Sequence, residues 1–224
     1  MNAAMIRHLV AKDWSFQRLP VALGGVGGAI GLALMIARSD AAFYVGVVLL
    51  ASAVISLGIY LLFMSVVNER TEGMLPFVMS LPIGVREYTA AKLLANMLLF
   101  LLPWAALAAG AVTVILIRDS VPDGLVPYAV VLLLHLLTGY VLSLGTALVT
   151  SSPGWTIAVA GTANIVFQGF MYWTSHLPDV APTLAGPVAV WSASIRWLIL
   201  AELLAIVGIL CVTWMWRTRQ TDFT

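Results

Sequence analysis

Six long apolar runs divide the sequence, and polar residues gather between these runs instead of alternating with apolar residues inside them. A membrane-spanning helix needs about 17–25 mostly apolar residues, and each run is at least that long. A transmembrane barrel is excluded, because its strands would alternate polar and apolar residues over about ten positions. The pattern therefore predicts an all-α polytopic membrane protein with six transmembrane helices. The predicted spans cover residues 21–37, 41–67, 93–117, 127–149, 155–174 and 197–216.

The distribution of lysine and arginine between the spans predicts the orientation of the chain. With the N-terminus inside, the cytoplasmic segments contain eight of these residues and the outer loops contain three. Short cytoplasmic loops of membrane proteins carry an excess of Lys and Arg. We therefore expect both termini, and the segment at residues 68–92, to be cytoplasmic.

Three segments outside the spans have patterns of their own. Residues 1–19 mix apolar and charged side chains in the way that is typical of a helix lying in the membrane interface. Residues 68–92 form a long polar insertion between the second and third spans. Residues 175–195 form an outer loop with three prolines and no Lys or Arg. We expect this loop to be a re-entrant segment in the outer membrane surface; the alternative is an apolar loop that lies on the helix ends.

Composition supports a membrane location and limits the function. The chain is 62% hydrophobic and 9% charged, whereas a soluble domain has about 25% charged residues. The net charge of +1 argues against nucleic acid, which requires a basic surface. Cys211 is the only cysteine, so an intramolecular disulfide is impossible.

The sequence also lacks the common motifs of catalysis. No Gly-Lys-Ser/Thr phosphate loop, metal-spaced Cys/His cluster or Gly-x-Ser-x-Gly nucleophile elbow occurs in it. We therefore expect a non-catalytic chain without a cofactor or metal site. Any use of ATP has to come from another polypeptide.

The insertion at residues 68–92 has the pattern of a short amphipathic helix. Glu69 and Glu72 precede an apolar cluster, and acidic residues favour a helix N-terminus. Pro82 and Gly84 follow the cluster and would end the helix. Methionine-rich apolar surfaces adapt well to the groove of a partner; the alternative is that the helix only lies on the lipid interface. The cluster consists of Met74, Leu75, Phe77, Val78, Met79 and Leu81.

The stretch "ERTEGMLPFVMSLPIGVREYTAAKLL" resembles the first cytoplasmic loop of the membrane subunits of ATP-binding-cassette (ABC) type 2 exporters. The pattern of that family is an acidic residue with glycine, an amphipathic stretch, Leu-Pro, a polar or basic residue, an aromatic residue, and a lysine that enters the third span. The matching positions here are Glu72, Gly73, Leu81, Pro82, Arg86, Tyr88 and Lys92. The layout of an interfacial helix, six spans and an apolar outer segment is also similar, as is the ending "RTRQTDF".

The resemblance implies an architecture and a set of partners. Residues 1–224 would form a single transmembrane permease domain in a cell inner (plasma) membrane, with residues 68–92 as a cytoplasmic coupling loop. Two permease subunits, the same or homologous, would pair within the lipid. Each would contact one of two ABC-type ATPase subunits, which carry the ATP and Mg. The expected coupling contacts are Glu72, Gly73, Met74, Phe77, Val78 and Met79.

Polar side chains inside the predicted spans are the candidate substrate site. Counting about 1.5 Å per helical residue places His135, Gln168 and Glu202 in one layer of the outer half of the membrane. Asn164 falls on the same helix face as Gln168. One hypothesis is that these four residues line a substrate path. The alternative is that they bond to each other or to the backbone and only fix helix packing.

The first span contains pairs of glycines that are four residues apart. Gly24 and Gly28 form one pair, and Gly27 and Gly31 form the other. Such spacing lets another helix approach closely, and we expect that helix to belong to the same chain.

These observations favour a permease subunit of an ATP-driven exporter and leave other functions open. A close alternative is the haem-export-type permease of cytochrome c maturation. From other classes come an ATPase-independent six-span channel or secondary transporter, and a scaffold protein. The lack of a clear repeat between residues 1–117 and 118–224 argues against a transporter with two similar halves. Lipid, peptide, drug, ion and polysaccharide exporters can share this loop, so its pattern does not indicate the cargo.

Overall fold

The computed structural model describes residues 3–67, 85–150 and 152–219. Within these ranges the secondary structure is helical, with no strand, and the all-α prediction is confirmed there. In the described part of the chain, six long helices follow one another, with a π-helical turn at Phe63–Val67 and a 3-10 turn at Ala181–Thr183. The helices are α1 Ala3–Ile36, α2 Asp40–Leu62, α3 Val85–Ile117, α4 Leu125–Thr150, α5 Pro153–Ser175 and α6 Ala193–Arg219.

Five stretches of the described residues are long and apolar enough to cross a membrane, which is the composition of a multi-pass membrane protein. The fifth predicted span, α5, is a helix of 23 residues but is not among them. Its sequence is diluted by small and polar residues such as Thr162, Asn164 and Gln168. Five of the six predicted spans therefore correspond to helices that could cross a membrane, and the sixth, α5, stays a prediction. The five stretches are Arg7–Ile36, Asp40–Val66, Glu87–Ile117, Leu125–Thr150 and Ala193–Arg219.

Two predicted boundaries differ from those in the structure. The interfacial segment at residues 1–19 and the first span were separated at Pro20, yet α1 runs through this proline without a break. A proline in a helix removes one backbone donor, and here the helix continues beyond it. The third span was expected to begin at Leu93, but α3 begins eight residues earlier at Val85. The last part of the polar insertion is therefore the first turns of α3.

The helices form two packed groups that meet along α3 and α4. In one group α1 lies against both α2 and α3, and in the other α4 lies against both α5 and α6. The rings of Phe100 on α3 and Tyr140 on α4 stack at this junction, with centroids 3.8 Å apart. Around them lies the main apolar core, where Leu61, Leu99 and Leu144 are almost completely buried.

The glycines of α1 pack against helices of the same chain, as predicted. A Cβ atom added to Gly31 would lie 2.9 Å from the carbonyl oxygen of Gly46 on α2. A Cβ atom on Gly28 would overlap the side chain of Leu107 on α3. Since both neighbours belong to this chain, these small residues serve the contact between α1, α2 and α3.

The two ends of the bundle differ in character. The loop end is the one where α1 begins, α2 ends and α3 begins. At the opposite end, residues 176–192 lie on the ends of the helices: Val180 is buried against Ile195 and Val131, and the Gly124 N–H donates to the Gly186 carbonyl at 3.0 Å. This loop lies within residues 175–195, which were predicted to be a re-entrant segment. The structure shows it packed on the helix ends, and its position relative to a membrane stays a prediction.

An aspartate in this loop caps the last helix. Asp179 Oδ2 accepts a hydrogen bond of 2.9 Å from the backbone N–H of Ser194, in the first turn of α6. This hydrogen bond stabilises the carboxylate and lowers the pKa of Asp179 below its ordinary value. The cap fixes where α6 begins, and α6 in turn carries Glu202.

Candidate functional site

A buried group of polar side chains, the loop-end cluster, joins three elements next to the insertion. It consists of Asp13 on α1, Ser65 in the π-helical turn, and Lys92 and Asn96 on α3. Lys92 Nζ donates to Asp13 Oδ2 at 2.8 Å and to the Ser65 carbonyl at 3.0 Å. The Asn96 side-chain amide donates to Ser65 Oγ and to the Lys92 carbonyl, both at 2.9 Å. Lys92 is therefore held by groups from all three elements.

The π-helical turn explains how the end of α2 takes part in the cluster. In a π-helix the backbone hydrogen bonds are shifted by one residue, and such turns are common at functional sites. Here Ser65 offers both its carbonyl and its hydroxyl oxygen to α3. The turn directly precedes the segment at residues 68–84, while α3 begins directly after it. The cluster therefore bonds the residues before that segment to the residues after it.

The ion pair of this cluster is shielded from solvent. The side chains of Lys92 and Asp13 are 5% and 8% exposed. The more exposed Lys12 also places its Nζ 3.5 Å from Asp13 Oδ1, so the Asp13 carboxylate is compensated by one buried and one partly exposed ammonium group. Gln17, one turn after Asp13, and Thr89, one turn before Lys92, are also buried. Among the described residues, Gln17 Oε1, Thr89 Oγ1 and Asn96 Oδ1 have no hydrogen-bond partner. The cluster therefore retains hydrogen-bonding capacity beside the insertion.

A hydrogen bond connects the loop-end cluster to the centre of the bundle. The Tyr140 hydroxyl donates to the Asn96 carbonyl at 3.1 Å, and the Tyr140 ring stacks on Phe100. Tyr140 and Phe100 line a central cavity of about 40 Å³, which is also lined by His135 and Asn164. A continuous set of contacts thus runs from the flanks of the insertion to this cavity.

A second polar pair lies near the middle of α4 and α6. His135 Nδ1 and Glu202 Oε1 are 2.6 Å apart, and Glu202 is 8% exposed. The His135 ring stacks on Phe170 of α5, with centroids 4.0 Å apart and the planes inclined by 8°. Three helices therefore meet at this imidazole, and its orientation is fixed on two sides.

The contact with Glu202 occupies one of the two ring nitrogens of His135. When Glu202 is ionised its carboxylate accepts, and His135 Nδ1 donates this hydrogen bond. The other ring nitrogen, Nε2, has no hydrogen-bond partner among the described residues. On the cavity wall, the Asn164 amide nitrogen donates to the Ala160 carbonyl at 2.8 Å, and the Asn164 side-chain carbonyl oxygen remains as an acceptor.

An apolar groove adjoins the central cavity. It has a volume of about 340 Å³ and is lined by residues of α2, α3, α4 and α5, together with Met35 at the end of α1. Ile55, Leu136 and Phe167 belong to the walls of both the groove and the cavity. Gln168 lines the groove and not the cavity.

The structure brings together only part of the predicted substrate site. Of the three residues that were placed in one layer, His135 and Glu202 form a direct contact. Asn164 and Gln168, predicted to share a helix face, lie on different hollows separated by Phe167. The predicted coupling residues at positions 72–74 and 77–79 lie outside the described residues.

The sequence reasoning missed the loop-end cluster. It assigned Asp13 to an interfacial helix and treated Lys92 only as the lysine that enters the third span. The spacing of Asp13 with Gln17 and of Lys92 with Asn96, four residues apart on a helix, was the available signal. Within the described ranges, no group of three His, Cys, Asp or Glu residues could hold a metal ion.

Comparison of the chain with protein-family models, with curated proteins and with solved structures finds no match. The class supported by these observations is a multi-pass helical membrane protein.

Replacing Glu202 with Gln should lower the free energy of unfolding by about 1 kcal/mol, because a hydrogen bond to a charged group contributes about 1.5–3 kcal/mol and a neutral one about 0.5–1.5 kcal/mol. Unfolding by sodium dodecyl sulfate in bicelles measures this difference. Thr146→Val is the control on α4, since among the described residues the Thr146 hydroxyl bonds to the Leu142 carbonyl of its own helix and to no other helix. Equal stability of Glu202→Gln and the wild type would contradict the contribution of the pair.

Proposed function

We propose that this chain is the membrane-spanning permease subunit of an ATP-driven exporter of the ABC type 2 class. Its role would be to couple a separate ATPase to the movement of a substrate across the membrane. The proposal places it in a cell inner membrane with both termini cytoplasmic, paired with a second permease subunit and served by two ATPase subunits. It is supported by the motif at residues 72–92 and by the five membrane-length helices.

The observation that carries the proposal is the position of Lys92. In the resembled family a lysine follows the coupling loop and enters the third span. Here Lys92 is buried and bonded to Asp13 of α1 and to the Ser65 carbonyl at the end of α2. A force applied to residues 68–84 would therefore reach α1, α2 and α3 together. A loop that only connects two spans does not require a buried ion pair, whose two charges are costly to desolvate.

The central cavity is connected to the loop-end cluster by a hydrogen bond. The Tyr140 hydroxyl bonds to the Asn96 carbonyl, and Tyr140 is part of the cavity wall. A displacement of the loop-end cluster would therefore change the shape of a hollow that contains His135. In the proposed function this hollow belongs to the substrate path, and the ATPase drives its rearrangement.

Replacing Phe77 with Asp should reduce co-purification of the ATPase by about tenfold or more, because an interface anchor in an apolar contact can contribute 2 kcal/mol or more. The measurement is a pull-down of the tagged chain from membranes, followed by identification of a chain with a Gly-Lys-Ser/Thr loop and by ATPase assay. Phe77→Leu is the matched control, since it keeps an apolar side chain at the same position.

The exporter function and the coupling contact can each be contradicted by a separate outcome. Recovery of the wild-type chain without any such ATPase argues against an ATP-driven exporter. Recovery of a full amount of ATPase with Phe77→Asp rejects the coupling contact at residues 72–79 but leaves the exporter itself in place.

A second candidate, an ATPase-independent secondary transporter, is favoured by the pair of His135 and Glu202. Ionisable residues inside the membrane mark ion and proton pathways, and these two lie 2.6 Å apart in the middle of the bundle. The purified chain in liposomes distinguishes the candidates: a secondary transporter moves its cargo with an imposed pH gradient and no ATPase, and the exporter subunit does not.

A further inference from the structure

Exposed aromatic side chains lie near both ends of the bundle. Trp and Tyr are enriched where a membrane meets water, because one end of each side chain is apolar and the other is polar. At the loop end the exposed residues, called here the loop-end belt, are Trp14 on α1, Trp155 on α5 and Trp216 on α6. At the other end the exposed residues, called here the opposite belt, are Tyr44, Tyr172, Trp173, Trp191 and Trp197.

Two helices give the distance between the belts independently. On α5, Trp155 and Trp173 are about 27 Å apart along the axis, at 1.5 Å per residue. On α6, which runs in the opposite direction, Trp197 and Trp216 are about 28 Å apart. The hydrocarbon core of a bilayer is about 30 Å thick. The belts therefore have the spacing of the two surfaces of a bilayer.

The surface between the belts suits hydrocarbon. In the described residues of α2 to α6, the one charged side chain between the belts is Glu202, which is 8% exposed and in contact with His135. On α1, Arg18 is exposed one turn inside Trp14. Helical side chains point toward the N-terminus of their helix, so the Arg18 guanidinium can reach the loop-end belt while its stem lies on apolar surface.

The loop-end cluster lies at the level of the loop-end belt. Phe100 is about 12 Å beyond Lys92 along α3, and it stacks on Tyr140, which is about 15 Å before the end of α4. Lys92 and the end of α4 are therefore within about 3 Å of the same level. Trp155 follows the end of α4 at the start of α5. The pair of Asp13 and Lys92 is thus level with the belt and not in the middle of the bundle.

Helix α5 carries residues of both belts, although it is not one of the five membrane-length apolar stretches. Part of its polarity is satisfied within the chain next to it: the Thr156 hydroxyl donates to the Ser152 carbonyl, and the Asn164 amide donates to the Ala160 carbonyl. Gln168 is exposed about 7 Å inside the opposite belt, and the cost of a polar side chain that faces lipid falls toward the interfaces. The composition of α5 is therefore compatible with a membrane crossing.

We propose that the two belts lie at the surfaces of a bilayer whose hydrocarbon core is about 27 Å thick, and that α5 crosses this bilayer as a sixth transmembrane helix. Phospholipid is then the partner of the exposed face of α5, which includes Gly161 and Ile165. Asp13 and Lys92 lie in the interfacial layer, so the flanks of residues 68–84 leave the bundle at the membrane surface. This placement rests on the class of multi-pass helical membrane protein and not on the exporter function.

The first test measures the depth of α5. In a Cys211→Ala background, Gly161→Cys on α5 and Gly208→Cys on α6 carry nitroxide spin labels, and a Cβ atom at either glycine would meet nothing within 4 Å. In liposomes of phosphatidylcholine and phosphatidylglycerol, power saturation compares the access of oxygen and of a water-soluble nickel chelate to each label. We expect depths of about 9 Å for Gly161→Cys and about 12 Å for Gly208→Cys from the loop-end surface. Asp119→Cys, in the exposed loop after α3, is the aqueous control.

Two results would overturn the crossing of α5 through lipid. A Gly161→Cys label as accessible to the nickel chelate as the Asp119→Cys label would place α5 in water. A Gly161→Cys label that neither reagent reaches, while oxygen reaches the Gly208→Cys label, would mean that another polypeptide covers this face of α5.

The second test measures the spacing of the belts. The thermal unfolding midpoint of the wild-type chain should be highest in phosphatidylcholine bilayers with a hydrocarbon core of about 27 Å. It should be lower by about 3 °C or more in bilayers about 7 Å thinner or thicker, since a mismatch between the apolar surface and the core destabilises the chain. Equal midpoints in all three bilayers would overturn the assignment of the belts to the two surfaces.

Neither measurement involves an ATPase. A chain that shows the expected depths but recovers no ATPase would reject the exporter and keep this placement in the bilayer. A chain that recovers the ATPase but shows α5 in water would keep the exporter and reject the placement.

Discussion

Replacing Lys92 with Met should lower the free energy of unfolding by about 3 kcal/mol, the lower end of the range for breaking a buried ion pair. The charge left behind is that of Asp13, whose side chain is 8% exposed and which keeps the more exposed Lys12, with Nζ 3.5 Å from Asp13 Oδ1. The substitution also removes the donor to the Ser65 carbonyl. The measurement is the unfolding midpoint of the purified chain in bicelles, by sodium dodecyl sulfate titration and by thermal melting.

The double variant Asp13→Leu with Lys92→Met provides the control for this prediction. It removes both charges and replaces them with apolar side chains, and such replacement of a buried pair is often neutral or stabilising. We expect it to recover most of the stability that Lys92→Met loses. A single variant as stable as the wild type, or a double variant as unstable as the single one, would show that the pair is not the source of the effect.

The same double variant separates stability from coupling. If the chain is the proposed exporter subunit and the loop-end cluster transmits movement from the insertion, the variant should be stable and assembled with ATPase, yet slow in transport. This variant lacks the ion pair between Asp13 of α1 and Lys92 of α3, while the apolar core remains. This outcome would give the cluster a function that a contact serving only stability would not have.

Much of the helical layout could be predicted from the sequence. A segment in lipid is long, apolar and helical because exposing unpaired backbone and polar groups to lipid is costly. The positions of α2, α4 and α6 agree with the predicted spans to within a few residues. Errors came where polar residues serve buried contacts. The charge of Asp13 suggested that this part of the chain lies on the membrane surface. In the structure, Asp13 is instead buried against Lys92 of α3.

The level of the candidate-site residues along their helices could be predicted from the sequence, but the side of the helix that each residue faces could not. Counting residues along each helix placed His135 and Glu202 at one level, and they are in contact. Gln168 was placed at the same level, but it faces the groove, while Phe167 next to it separates the groove from the cavity. The rotation of a helix about its axis depends on the packing of all its neighbours, and spacing in one sequence does not contain that information.

The crossing of α1 and α2 illustrates the same division between sequence and structure. Four-residue glycine spacing predicted a close helix contact, and the partner turned out to be Gly46 of the next helix. Gly46 has no glycine at matching spacing within α2, so the pattern on its own helix did not mark it. Gly46 matters for the contact between α1 and α2 because the backbone of α1 lies directly against it.

Replacing Gly46 with Leu should lower the free energy of unfolding by about 3 kcal/mol, the upper part of the usual range for overpacking. A Cβ atom at this position would lie 2.5 Å from the Gly31 carbonyl oxygen and 2.7 Å from the Met35 backbone nitrogen. Both neighbours are backbone atoms, which cannot move away as a flexible side chain can, so α1 and α2 would have to separate. Unfolding midpoints in bicelles measure the loss.

Gly25→Leu is the matched control for this crossing, since a Cβ atom there would meet nothing within 4 Å. Leu has a higher helix propensity than Gly by up to about 1 kcal/mol, so this variant should equal or exceed the wild type in stability. If Gly46→Leu were as stable as Gly25→Leu, α1 and α2 would not be in backbone contact. The crossing and the pair of Asp13 and Lys92 lie near opposite ends of α1, since Gly31 follows Asp13 by about 27 Å along the helix. The effects of Gly46→Leu and Lys92→Met should therefore be additive.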